Sequence, residues 1–131
     1  MKLLVDTHLL IWSSSVDESV GRQRLSSATI AVINAPDAEL IFSAASIWEI
    51  AIKAGRPGFD IDPTMFRRRL LDRGYSELTV TGQHGAAVRI LPPIHKDPFD
   101  RILIAQATVE SATLLTSDKI VSSYPGPIRL V

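Results

Sequence analysis

Short apolar runs of strand length alternate with helix-length stretches along the whole 131-residue chain. Few architectures accept that order: it favours a parallel sheet covered by helices on both faces and joined by right-handed crossovers. Leu3-Leu4-Val5 reads as a buried strand that ends at Asp6 and runs into a helix from Thr7 through Trp12. The cluster Ser13-Ser14-Ser15 breaks that helix. Leu25, Ala28, Val32 and Ile33 then recur at helical spacing between about Gly21 and Asn34. A second strand, Glu39 to Ser43, passes directly into a helix from about Ala44 to Ala54, ended by Gly55 with Pro57 beyond. Asp62-Pro63 supplies an N-cap with proline at the first helical position, and Gly74 closes that helix. Ser76 to Val80 resembles a third strand, and Thr81 caps a helix reaching Ile90 before Pro92-Pro93 interrupts it. Asp97-Pro98 opens another helix that runs to about Glu110. Thr113 to Thr116 is a fourth strand leading through Ser117-Asp118 into a helical turn, and Ile128 to Val131 supplies a fifth.

The length and a hydrophobic content of 46% suit one domain over residues 1–131 with a single buried core. Lys plus Arg (14) balance Asp plus Glu (14), so no bulk positive field holds the chain on a polyanion, and a polynucleotide must be met locally. The absence of cysteine excludes disulfides, thiolate zinc sites and cysteine nucleophiles, and fits a cytoplasmic protein. Met1 to Asp6 meets a charge after three apolar residues, too soon for a signal-peptide core or a membrane span, so no membrane partner is expected.

Ligands of open parallel sheets gather at the carboxyl ends of the strands. Asp6 and Asp118 both stand there, in LLVDTH and LLTSDK, and would approach one another if their strands are neighbours. Taken singly, each reads as a helix cap. Glu49 lies in a helix apolar nearly all round, on a narrow polar stripe with Ser46, Lys53 and Arg56. An exposed Glu49–Lys53 ion pair accounts for it, and so does a carboxylate facing a cleft. Capping explains Asp97 well. It explains Asp100 poorly, because the reciprocal partner three residues into a helix is usually the longer Glu or Gln. Should these acids converge, two carboxylates at about 4 Å repel by roughly 4 kcal/mol at an effective dielectric near 20. A hard divalent cation, Mg2+ or Mn2+, is the natural compensation.

The remaining candidates carry less. His8, His84 and His95 lack zinc-ligand spacing and default to surface or cap-region roles, with His95 a minor candidate for touching substrate. No GxSxG, P-loop or GxGxxG motif is present. Arg67, Arg68 and Arg69 read as a solvated helix face, and Trp12 and Trp48 as core or interface residues rather than base-stacking platforms.

The segments LLVDTH, SAASIWEIAIK (43–53), HKDPFDRILIAQA (95–107) and LLTSDK (114–119), in this order, resemble the PIN-domain toxins of bacterial VapBC toxin–antitoxin modules along essentially the whole chain. The resemblance implies a three-layer α/β fold with a central, mostly parallel sheet. It also implies an endoribonuclease, usually a homodimer, held inactive by a cognate antitoxin that often occupies the acidic cleft. Asp6, Glu49, Asp100 and Asp118 match the family's acidic quartet, the expected catalytic and metal-binding set; Thr7 and Ser117 match polar neighbours that orient ligands. One or two cations held by Asp6, Asp100 and Asp118, with Glu49 as ligand or as orienter of a water, would lower that water's pKa for attack on an RNA phosphodiester. Lys53, Arg56 and Arg101 are candidates to offset phosphate charge, and Arg101 equally to brace a carboxylate. The alternatives are a non-catalytic binding domain whose acids only cap helices, and a metal-dependent nuclease or phosphatase with a different substrate.

Overall fold

The structure, a computed structural model, describes residues 1–13 and 25–131. Strand β1 (Lys2–Val5) is the centre of a five-stranded sheet. β2 (Glu39–Ser43) and β3 (Ser76–Leu78) lie to one side of it, β4 (Thr113–Thr116) and β5 (Ile128–Leu130) to the other. Every pairing is parallel. The helices are α1 (Thr7–Ser13), α2 (Ser27–Ile33), α3 (Ala44–Lys53), α4 (Pro63–Asp72), α5 (Gly82–Ala87), α6 (Pro98–Val109) and α7 (Lys119–Ser122). Ser14 and Ser15 of the expected serine break, and the expected helix start at residues 21–24, lie outside the described residues.

Successive strand residues point to opposite faces, so each strand feeds two cores. Leu3, Val5, Phe42 and Leu115 join Leu9, Ile50, Phe66 and Leu70 on one face. Leu4, Ile41 and Leu114 join Leu103, Ile104, Ala107 and Val121 on the other. This is the three-layer α/β arrangement expected. Leu4 is fully buried, and Leu4→Ala is expected to destabilise the protein by about 2–5 kcal/mol in urea unfolding, through lost burial and a residual cavity.

The chain leaves β1 for β2 and β3 on one side, and returns for β4 and β5 on the other. The switch point is therefore the crevice beyond the carboxyl ends of β1 and β4. Asp62, Asp97 and Asp118 cap α4, α6 and α7 through side-chain oxygens that accept N–H groups of the first turns.

Three local expectations are corrected. The third strand stops at Leu78 rather than Val80, and the Thr79 carbonyl instead accepts from Gln106 Nε2 at 3.3 Å. The helix after Thr81 is α-helical only to Ala87, then tightens to a 3-10 turn over Val88–Ile90. That turn forms where Arg101 draws in the carbonyls of Val88, Leu91 and Pro92, at 3.3, 3.3 and 2.8 Å. His84, expected at a surface or cap, does cap but is wholly buried. Its Nδ1 accepts the Thr81 N–H at 3.0 Å, so the neutral ring carries its proton on Nε2, 2.9 Å from Glu110 Oε1.

Candidate metal centre at the sheet switch point

β1 and β4 pair with Val5 opposite Leu115, which makes Asp6 and Thr116 the next facing pair. The Thr116 hydroxyl donates to Asp6 Oδ2 at 2.6 Å and accepts the Asp118 N–H at 3.0 Å, tying both acidic strand ends together. Asp6 is 4% exposed and also accepts the His8 N–H through Oδ1. Burial pushes its pKa up, the Thr116 hydrogen bond and His8 hold it down, and the charge of Glu49 raises it again. The hydroxyl that orients Asp6 is thus Thr116. Ser117, expected as a polar neighbour that orients ligands, is exposed.

Glu49 reaches the crevice from α3 and is 5% exposed. The two readings of its stripe meet here: Lys53 Nζ pairs with Glu49 Oε2 at 2.7 Å, yet the carboxylate end is buried. Thr7 Oγ1 donates to Ser46 Oγ at 2.8 Å inside the protein, fixing α3 against the start of α1. The helix, apolar nearly all round, is not buried on most sides: Trp48 is 64% exposed and Ile52 46%, although the Trp48 ring meets Phe99 of α6 edge to face at 5.3 Å.

α6 brings the remaining acids. Asp97 Oδ1 accepts the Phe99 and Asp100 N–H groups at 2.9 and 3.4 Å. Among the described residues Asp118 likewise uses only Oδ1, for Ile120 and Val121. Capping therefore occupies one oxygen of each and leaves the second for another partner. Asp100 caps nothing; its Oδ2 lies 3.6 Å from His95 Nε2. Burial, and then the charges of Asp97, Asp6, Glu49 and Asp118 in that order, raise the Asp100 pKa from 3.8 to about 7. Four carboxylates from four segments thus act electrostatically on a fifth, Asp100.

The closest ligand atoms, however, are not those of the quartet. One atom each from His95, Asp97 and Asp100 lie within 4.8 Å of one another, the one such group of three among the described residues. Asp6, Glu49 and Asp118 are turned toward Thr116, Lys53 and the α7 N-terminus respectively. His95 is the residue that sequence reasoning undervalued, because histidine spacing along the chain carries no sign of a mixed site built with two aspartates of the next helix. Its main chain is held at both ends by Tyr124, whose hydroxyl accepts the His95 N–H at 2.7 Å and donates to the His95 carbonyl at 3.1 Å. Among the described residues Arg101 braces no carboxylate; its guanidinium serves the three carbonyls and Tyr124 Oη at 3.2 Å. An oxygen-rich donor set around a carboxyl whose pKa burial and then neighbouring carboxylates raise fits a hard divalent cation.

The sequence matches the PIN domain family model over residues 3–127, and the chain belongs to that family. No curated protein matches it. Among solved structures the fold is similar to a crystal structure of VapBC2 from Rickettsia felis bound to a DNA fragment from their promoter, with a TM-score of 0.63 and 11% sequence identity. The match covers 99% of this chain and 98% of that one. At that identity the likeness speaks for the fold alone. Among the described residues no helix is long and apolar enough to cross a membrane.

Proposed function

We propose that this chain is a Mg2+- or Mn2+-dependent endoribonuclease, acting in the cytoplasm as the toxin of a type II toxin–antitoxin module. One observation carries the reading: Asp6, Glu49, Asp97 and Asp118 all bear on Asp100 at the switch point of a PIN fold. PIN domains are nucleases and generally use a divalent metal, which makes hydrolysis of a phosphodiester the matching chemistry. The solved neighbour's VapBC2 description supports an antitoxin partner, and the quoted segments support RNA as substrate and a homodimer as the working form.

Asp6 and Asp100 are the residues that would hold the cation, with Asp118 contributing its free oxygen and Glu49 either ligating or orienting the attacking water. A bound divalent cation supplies a lowered water pKa and neutralises charge that builds on the scissile phosphate. The Thr116 hydroxyl would orient Asp6, and the Thr7–Ser46 hydrogen bond would steady the helix that carries Glu49. Lys53 and the exposed Arg56 offer positive charge at the rim of the neighbouring groove. The chain provides no covalent nucleophile in this scheme.

The test is cleavage of single-stranded RNA, single-stranded DNA and a small phosphate ester, each with Mg2+, Mn2+ or chelator. Metal-dependent cutting of RNA alone is expected, suppressed by the protein encoded beside this one. The caps made by Asp97 and Asp118 also suit a non-catalytic PIN-fold binding domain. That alternative prevails if no substrate is cut and Asp6→Asn leaves divalent-ion affinity unchanged.

A further inference from the structure

The imidazole of His95 reaches the acidic centre from the loop before α6. Its Nε2 lies 3.6 Å from Asp100 Oδ2, beyond hydrogen-bond reach. Two donors of one ion, each about 2.1 Å from it, stand roughly 3 to 4 Å apart, so a shared ion fits this spacing without moving either residue. Asp97 completes a group of three donors within 4.8 Å of one another; it caps α6 through Oδ1, which leaves its second oxygen for an ion. The main chain that carries the ring is fixed on both sides. Tyr124, 4% exposed, accepts the His95 N–H and donates to the His95 carbonyl, and Arg101 holds the same hydroxyl. None of these contacts uses the ring, which is left half-buried on a firmly placed backbone and loses little freedom on binding. Its Nδ1 faces the Asp97 N–H at 3.5 Å, the outer limit of a hydrogen bond. Ligation through Nε2 moves the ring proton to Nδ1 and gives up only that weak contact.

We propose that His95 Nε2 is a ligand of a divalent ion held by Asp100, and that this nitrogen makes the centre favour a first-row transition ion over Mg2+; the inference rests on the metal-dependent reading above. Imidazole binds transition ions well, whereas Mg2+ keeps to oxygen ligands and gives up its waters reluctantly. Carboxylates alone discriminate weakly between Mg2+ and Mn2+. One nitrogen among them shifts the preference toward the transition ion. Asp6, Glu49 and Asp118 lie outside the group of three, so the selection is made on the Asp97 side of Asp100, where a groove of about 430 Å³ lined by His95 and Asp97 gives an ion a way in.

Mn2+ is the probe, because pulsed electron paramagnetic resonance reads the atoms bonded to it. A nitrogen hyperfine coupling is expected on Mn2+ bound to the full chain, kept in His8→Gln and absent in His95→Gln. The glutamine puts a carbonyl oxygen where the nitrogen stood, so His95→Gln should lower Mn2+ affinity about tenfold or more while Mg2+ affinity stays nearly as it was. The melting temperature of the metal-free protein should not change, since Tyr124 holds only the His95 main chain. A ring with a merely structural role would lower both affinities together, and that result overturns the proposal. If Mn2+ binds in a manner that Asp100→Asn abolishes, yet shows no nitrogen coupling or keeps it in His95→Gln, the His95 assignment falls and the carboxylate centre stands. If no Mn2+ binds, or Asp100→Asn leaves its binding unchanged, both readings fall together.

Discussion

Replacing Asp100 with Asn is expected to abolish RNA cleavage and, in the same protein, to raise the stability of the metal-free form. Both effects have one cause. Asp100 is partly withdrawn from water and, to a lesser degree, crowded by the charges of four other carboxylates, so its pKa stands at about 7 against an ordinary 3.8. The folded-state value is the higher one, so the unfolded chain releases this proton first. Below pH ~3.8 both states are protonated and there is no penalty. The penalty grows as pH rises and is complete above about 7, where it costs the fold about 4 kcal/mol. Asn removes it, and the metal-free variant should melt higher than wild type at pH 8 and equally at pH 4. Divalent-ion affinity should strengthen about tenfold per pH unit between pH 5 and 7, since binding there displaces a proton. Cleavage should fall by a factor on the order of 1,000 or more, since several kcal/mol of charge stabilisation is lost. Urea or thermal melts against pH, with and without Mg2+, check the first part, and single-turnover cleavage the second. A variant less stable than wild type at pH 8 would contradict the crowding.

The second large effect belongs to a residue outside the acidic set. Arg101→Ala is expected to cost about 3 kcal/mol or more, because one guanidinium serves the carbonyls of Val88, Leu91 and Pro92 and the Tyr124 hydroxyl. Tyr124 in turn holds His95 by both backbone groups. Loss of Arg101 therefore loosens the chain that leads into Asp97 and Asp100, and cleavage should fall with stability. Arg101→Lys should behave nearly as badly, since one ammonium cannot replace a planar fork aimed at several carbonyls. A melting temperature lowered by roughly 10 °C is the expected reading for a domain of this size. Unchanged melting with lost cleavage would instead make Arg101 a substrate contact.

Much of this was legible in the residues because the determinants are local. Strand length, Asp-Pro starts and Gly55 and Gly74 as stops place most elements within a residue or two of their positions, and alternation of strand and helix gives a wholly parallel sheet. The acids at strand ends and helix starts could be picked out because an aspartate that does not cap, such as Asp100, breaks a local rule. What stayed hidden depends on pairing between distant segments. Thr116 becomes the partner of Asp6 only once β1 and β4 are known to align Val5 with Leu115. Ser117, its sequence neighbour, lies just beyond the end of β4 and is exposed. Of the two readings of Trp48, core or interface, the first does not hold, because the ring is 64% exposed. His84 caps as one of its readings expects, but its burial and its partner Glu110, like the Val88–Pro92 carbonyls that Arg101 meets, are set by how α5 and α6 pack.

The most direct test is a crystal structure of the wild-type protein grown with Mn2+ at pH 8, with the ion located by its anomalous scattering. The account predicts an ion bonded to carboxylate oxygens of both Asp6 and Asp100, lost in the Asp6→Asn variant. An ion bound to neither residue, or no ion in the crevice at a concentration that supports cleavage, would contradict it.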